Sequence, residues 1–207
     1  MEDVLELYAE PYDPMRPVVC FDEQPVQLVA ETRAPRPVAP GQPALYDYEY
    51  KRAGTANIFM TVQPLAGWRQ VAVTGQRTKL DFAAQMKGLV NLHFPGAERI
   101  RVVLDNLNTH KPAALYEAFP AEEARRLVRK LEFHHTPKHG SWLNPAESEL
   151  SVLTRQCLNR RIDSREALAH EVAVWTAQRN QDGVRIEYRF SLDQARDRLA
   201  HLYPSQP

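Results

Sequence analysis

Apolar and polar positions along this chain alternate with two periods, and the change of period separates strands from helices. PVVCFDE (17–23) is a continuous apolar run ending in acid, the pattern of a central strand buried on both faces, with Asp22 at its C-terminal end. NIFMTVQPLAGWRQVAVTG (57–75) predicts two strands around a turn at Pro64–Gly67. Residues 78–94 have helical spacing that turns Leu80, Ala83 or Ala84, Met86 or Lys87, and Val90 or Leu92 inward. ERIRVVLDN (98–106) predicts another strand, again ending in an acid, Asp105. A helical stretch over 111–130 leads to a strand from Leu131 to Thr136, closed by Pro137. A helix then opens at Asn144-Pro145, a favoured cap followed by a residue preorganised for the first helical position. Leu143, Ala146, Leu150, Leu153 and Cys157 form its apolar stripe; the spacing places Glu147 at the edge of that stripe and turns Glu149 towards solvent. Two more helices follow at about 164–180 and 191–202, with caps expected at Ser164 and Ser191.

The intervening segments set the domain plan. Residues 1–16 read as a short helix and linker punctuated by prolines, and RAPRPVAPGQP (33–43) as an extended loop. With the residues up to 56 it makes the longest irregular segment, and loops of that length in a compact domain are functional or mobile. The expected organisation is an N-terminal linker (1–16), a catalytic core (17–161) and a C-terminal helical extension (162–207). The element order describes an α/β fold: a mixed five-stranded sheet, its first three strands an antiparallel meander and its last two separated by helices that cover the faces.

Composition narrows the function classes. The 207 residues suffice for one fair-sized core, and 43% hydrophobic content with a mean hydropathy of −0.49 suits a soluble globular protein. No apolar run approaches the roughly 20 residues that span a bilayer, and the acidic start is not a signal or transit peptide, so no membrane partner and a cytoplasmic location are expected. Cys20 and Cys157 make no disulfide framework and read as buried thiols. A net charge of zero excludes a generic polycation but not nucleic acid, because residues 123–161 carry eight Arg/Lys against four Asp/Glu, a basic rim around Glu147.

Three acids now stand at element ends: Asp22, Asp105 and Glu147. Strand carboxyl ends and the adjoining helix starts are where open α/β sheets place their sites. Two carboxylates about 4 Å apart repel by roughly 4 kcal/mol at an effective dielectric of 20. A divalent cation resolves that conflict, and oxygen-only ligands select Mg²⁺ or Mn²⁺. Two such ions bridged by an Asp suit in-line displacement at a phosphodiester. Zinc is disfavoured, since His110, His134, His135, His139 and the cysteines show no paired ligand spacing.

FDE (21–23), LDNLNTH (104–110) and TPKHGSWLNPAE (136–147), with forty-one residues between Asp105 and Glu147, resemble the three blocks of the DDE transposases. The likeness is to the bacterial insertion-sequence branch related to mariner elements, and it extends to DYEYKRAGTANIF (47–59) and the tail from 175 to 204. It implies an RNase H-like fold, with Asp22, Asp105 and Glu147 as catalytic residues and metal ligands for two Mg²⁺ or Mn²⁺ ions once DNA is bound. It further implies cleavage of transposon ends in double-stranded DNA, joining of the freed 3′-hydroxyl to target DNA with a TA preference, a homodimer, and action at the bacterial nucleoid. Transposases of this group usually carry an N-terminal helix-turn-helix region that reads the element ends. Only 21 residues precede Asp22, so such a region is expected to be fused or supplied as a separate chain.

The remaining polar residues supply candidate DNA contacts: Lys138 and His139 to the backbone, Trp142 beside a base or against the core, Asn144 before Glu147, and Lys51 with Arg52 as a clamp ending the long loop. Asn106, Asn108 and His110 are placed to orient a phosphate or water near the metals, with turn-making after Asp105 an equal reading for Asn106 and Asn108. Two rival readings remain: a non-catalytic remnant that binds DNA or a partner chain, and an RNase H-like nuclease or resolvase that never joins strands.

Overall fold

The computed structural model describes residues 1–200 apart from 35, 37, 45–47 and 139. Its elements are α1 (Glu2–Ala9), β1 (Val18–Glu31), β2 (Tyr50–Gln63), β3 (Trp68–Thr74), α2 (Lys79–Gly88), β4 (Ile100–Leu104), α3 (Ala113–Ala118), α4 (Ala121–Lys130), β5 (Leu131–His135), α5 (Pro145–Leu153), α6 (Arg165–Gln181) and α7 (Leu192–Arg198). The strands form one mixed sheet in the order β3-β2-β1-β4-β5, the two hairpin pairings antiparallel and the β1–β4 and β4–β5 pairings parallel, as the order of elements implies.

Strand alternation divides the interior into two cores. Cys20, Ala56, Ile58, Met60, Val62 and Val103 face α1, α5 and α6, packing on Leu143, Ala146, Leu150, Leu153, Leu168 and Val172. Val19, Phe21, Phe59, Val102 and Leu104 face the other way, onto Phe82, Met86, Leu115 and Leu127. Burying a side chain the size of Phe21 contributes about 2–3 kcal/mol. Because Val4, Leu5 and Leu7 of α1 belong to the first core, the N-terminal helix is part of its packing. Among the described residues no helix is long and apolar enough to cross a membrane.

Several local expectations change. β1 and β2 run well past the core: β1 pairs with β4 only over Val18–Cys20 but with β2 as far as Glu31. Asp22 therefore sits inside a long strand, at the point where that strand leaves β4. Pro25 is tolerated there because odd-numbered β1 residues turn their peptide groups to the side β4 has vacated, where a missing N–H breaks no ladder bond. Lys51 and Arg52 pair with Ala30 and Val29 within β2 and do not end the loop. The stretch 111–130 is two helices, since Pro120 has no N–H to continue α3 and instead starts α4. The buried face of α2 and the wider turn after it is Phe82, Ala83, Met86, Leu89 and Val90; Leu80 and Leu92 are exposed. The caps at Ser164 and Ser191 form, the latter in a capping box with Gln194, but α7 ends at Arg198.

The β2–β3 turn makes a close approach of backbones. Gly67 has a φ of 66°, and a Cβ added to it would lie 2.7 Å from the carbonyl oxygen of Gly183, just past α6. Gly67→Ala is expected to lower stability by about 2 kcal/mol, from left-handed strain and the displaced neighbour together. Urea denaturation measures this; a loss below about 0.5 kcal/mol would show that the contact with Gly183 yields freely.

Candidate active site

The register brings two acids together. Cys20 is the parallel partner of Val103, so Asp22 and Asp105, two residues further on each chain, follow the same face of neighbouring strands just past the last paired residues. That face is covered by α5. Asn144 caps α5 by accepting the Ala146 N–H at 3.2 Å, and its own Nδ2 donates to the Phe21 carbonyl at 2.9 Å. Glu147 then stands at the third helical position. A Glu there often folds back onto the N–H of the capping residue. In this chain that N–H already donates to Ser141 at 2.8 Å, and Glu147, exposed, faces the pocket. Asp22, Glu23, Asp105, Glu147, Thr136 and Arg155 are among the residues lining that pocket, whose volume is about 570 Å³.

The contrast drawn above between the two acids of α5 is reversed. Glu149 is the buried one, at 2% exposure, and Glu147 the exposed one. At about 100° per residue Glu149 lies no further from the centre of the apolar stripe than Glu147 does, and its charge is met there by two arginines, Arg69 and Arg179.

Electrostatics mark the pocket wall. Burial raises the Asp22 carboxyl to about 7, assisted by the like charges of Glu23, Asp105 and Glu147 and opposed by the Glu23 N–H that it accepts at 2.9 Å. Beneath Asp105 lies His110, almost fully buried between Phe21 and Phe82. Its Nδ1 is 2.6 Å from Asp105 Oδ1 and its Nε2 is 3.0 Å from Glu23 Oε2. Burial opposes the charge on this imidazole, yet its hydrogen bonds to Asp105 and Glu23 outweigh burial and raise it to about 9, so it is an imidazolium at neutral pH. Buried and with both ring nitrogens facing carboxylates, it is not open to a phosphate and instead holds Asp105. Asn106 and Asn108 are exposed, and Asn108 accepts from Lys111.

The oxygen-only donor set suits a hard divalent cation, which would offset both the burial and the lesser like-charge repulsion that raise Asp22. Among the described residues no three acidic, histidine or cysteine side chains are gathered closely enough to enclose an ion as they stand; the carboxylates ring the pocket instead.

The other candidates scatter. Asn144 lines the pocket but spends its carboxamide on the cap and on Phe21. Trp142 lies edge-on to Phe190 with 45% of its surface exposed, and Lys138 is exposed in the turn after β5. His139 lies outside the described residues. Lys51 and Arg52 are some eight strand residues beyond Asp22, about 25 Å away, and do not line the acidic pocket. Sequence reasoning missed Glu23, treated only as part of FDE, although a second acid beside a strand Asp asks for a cation and His110 was within reach.

Comparison with known proteins follows the geometry. The family model described as DDE superfamily endonuclease matches residues 17–169. Among solved structures, the crystal structure of the Mos1 mariner paired end complex with Mg aligns with a TM-score of 0.61 at 18% identity, over 97% of this chain and 60% of the other. The Mos1 paired end complex with Mn aligns with a TM-score of 0.56 at 19% identity, over 88% of this chain and 55% of the other. The isolated catalytic domain of Mos1 mariner transposase gives 0.56 at 13% identity, over 88% and 82%. At these identities the likeness establishes a shared fold, the RNase H-like one, and this chain spans a little over half the length of the complexed Mos1 chains. No curated protein matches it in sequence.

His110→Ala strands the Glu23 carboxylate without a cation and is expected to cost roughly 3 kcal/mol of stability at neutral pH. Glu23→Gln in the same chain should recover part of that loss, as chemical denaturation of the single and double variants would read. Additive losses would mean that the two side chains do not act as a pair.

Proposed function

Since the chain belongs to the DDE superfamily endonuclease family, we propose that it is the catalytic domain of a DNA transposase, cutting phosphodiesters at transposon ends and joining the freed 3′-hydroxyl to target DNA. The observation that carries this reading is the placement of Asp22 and Asp105 on one face of neighbouring strands with Glu147 across the pocket on α5.

In this reading Asp22 and Asp105 hold two Mg²⁺ or Mn²⁺ ions when DNA is bound, and Glu147 the second. Bound divalent ions would supply charge neutralisation for in-line attack and departure at phosphorus. The protein's part is orientation. His110 keeps the Asp105 carboxylate turned into the pocket, Asn144 fixes the start of α5 against β1, and the buried side of Asp22 stays shielded from water. Support for divalent ions and for DNA comes from the Mos1 complexes, described as paired end complexes with Mg and with Mn and as a strand transfer complex. Two element ends must be held together, so the active form is a homodimer, with a fused or separate helix-turn-helix region reading the ends. Lys138 and Trp142 flank the pocket as DNA contacts, whereas Lys51 and Arg52, far along the β1–β2 ribbon, would grip DNA away from the reacting strand.

Nicking of a supercoiled plasmid tests the centre. The chain should nick with Mg²⁺ or Mn²⁺ and not with EDTA, and Asp105→Asn should abolish nicking with the fold intact by circular dichroism. Nicking retained by the folded variant would remove Asp105 from the chemistry. A pre-cut end bearing a 3′-hydroxyl then separates a transposase, which joins it to plasmid, from a nuclease, which does not.

Neutralising both Lys51 and Arg52 should lower the slope of log affinity against log salt by about 2, one unit for each lost phosphate contact. An unchanged slope in a filter-binding titration would take both residues off the DNA.

A further inference from the structure

A second charged cluster lies behind the helix that carries Glu147. Arg69 of β3 is 0% exposed, and its Nε is 3.0 Å from Glu149 Oε2. Arg179 of α6 holds the same carboxylate from the other side, Nη2 to Oε1 at 2.7 Å and Nε to Oε2 at 3.3 Å. The remaining Arg69 donors are spent on carbonyls: Nη1 on Gly67 and Arg179, Nη2 on Val184. Asn180 brackets the Arg69 backbone, accepting its N–H and donating to its carbonyl, both at 2.8 Å. One carboxylate of α5 is thus tied to an edge strand and to the last turn of α6.

Its place on the helix gives the cluster meaning. Two residues along a helix turn a side chain by about 200°, so Glu149 points inward where Glu147 points at the pocket. A well-packed apolar trio would join the same three elements at least as stably, so stability alone does not call for three buried charges. The two hydrogen bonds from Arg179 add direction, because such bonds accept a narrow range of orientations, and the Arg69 ion pair holds the same carboxylate from the opposite element. Asn144 pins the start of α5 to β1, and Glu149 pins its inner face one turn later; together they fix the rotation of the helix about its own axis.

We infer that the Arg69–Glu149–Arg179 cluster is the positioning device for Glu147, holding the third acid at the angle the metal site requires. This rests on the catalytic reading above, in which Glu147 is a metal ligand. The three residues touch neither substrate nor ion; they act through the helix.

The test replaces the cluster as a whole, since removing one partner would strand buried charge and unfold the chain for an unrelated reason. The full chain carrying Arg69→Met, Glu149→Met and Arg179→Met is compared with the native chain and with Glu147→Gln. Thermal melts establish folding, the electron paramagnetic resonance signal of free Mn²⁺ reports ion binding directly, and plasmid nicking is titrated with Mn²⁺. The expected result is a folded triple variant that binds Mn²⁺ on the order of tenfold more weakly, the size typical of lost support around metal ligands, with nicking restored at high Mn²⁺. A folded triple variant with native Mn²⁺ affinity and native half-saturation overturns the inference. If the triple variant does not fold, Asn180→Ala, which loosens Arg69 without removing charge, reads the same quantity; weaker Mn²⁺ binding supports the inference and native binding overturns it. Should Glu147→Gln itself leave Mn²⁺ binding and nicking unchanged, the catalytic reading of Glu147 fails, and the inference goes with it.

Discussion

A single carboxamide joins the two halves of the candidate site. β1 pairs with β4 only as far as Cys20, so the Phe21 carbonyl, which faces that side, would be left without a ladder partner. Asn144 donates to it from the start of α5 and with its oxygen caps that same helix. The bond satisfies two groups that would otherwise be orphaned in a buried place, and it sets the distance between Asp22, next along β1, and Glu147, three residues into the loop-to-helix turn. The parallel register of β1 and β4 brings in the remaining acid, Asp105, whose carboxylate His110 holds.

Around that frame the charges are layered. The pocket side of the sheet presents carboxylates among which Asp22 is raised by burial and then by its like-charged neighbours, while directly behind it the His110 imidazolium offsets Asp105 and Glu23 from within the apolar packing of Phe21 and Phe82. One buried cation thus stabilises the inner half of an acidic cluster, and the outer half is left to whatever binds in the pocket. Glu149 repeats the arrangement on the far side of α5, where its charge is met entirely by protein groups. Two acids two residues apart on one helix therefore live in opposite surroundings: one is answered by arginines and one faces the opening.

Much of this was legible in the chain. Continuous apolar runs mark the central strands, the Asn-Pro pair marks the start of α5, and Ser164 and Ser191 mark the caps that form. What could not be read depends on partners distant in sequence. The cations that let Glu149 be buried, Arg69 eighty residues away and Arg179 on α6, meet it only in the folded chain. The extension of β1 and β2 carries only a thin apolar signature, Val26 and Leu28 on the face of the first core, opposite β2 residues of which the first six are exposed. Pro120 is a readable stop between α3 and α4; of the positions whose spacing turns them inward, Ala83, Met86 and Val90 are buried, whereas Leu80 is exposed because the buried face runs through Phe82.

The parallel pairing of Cys20 with Val103 also governs where this chain can change length. In a strand the side-chain direction is a two-valued quantity, so one residue inserted or deleted between Val18 and Asp22 would point Phe21 or Glu23 into the pocket and bury Asp22 among phenylalanines. No partial loss is available, and repair would take a second, compensating slip. The connection between Glu31 and Tyr50 is outside that register, and residues gained or lost there leave the Asp22–Asp105 alignment as it was. Variation among descendants of this chain is thereby channelled: the strand that bears the first acid is frozen in length, and the connection at the far end of the same strand is free to drift.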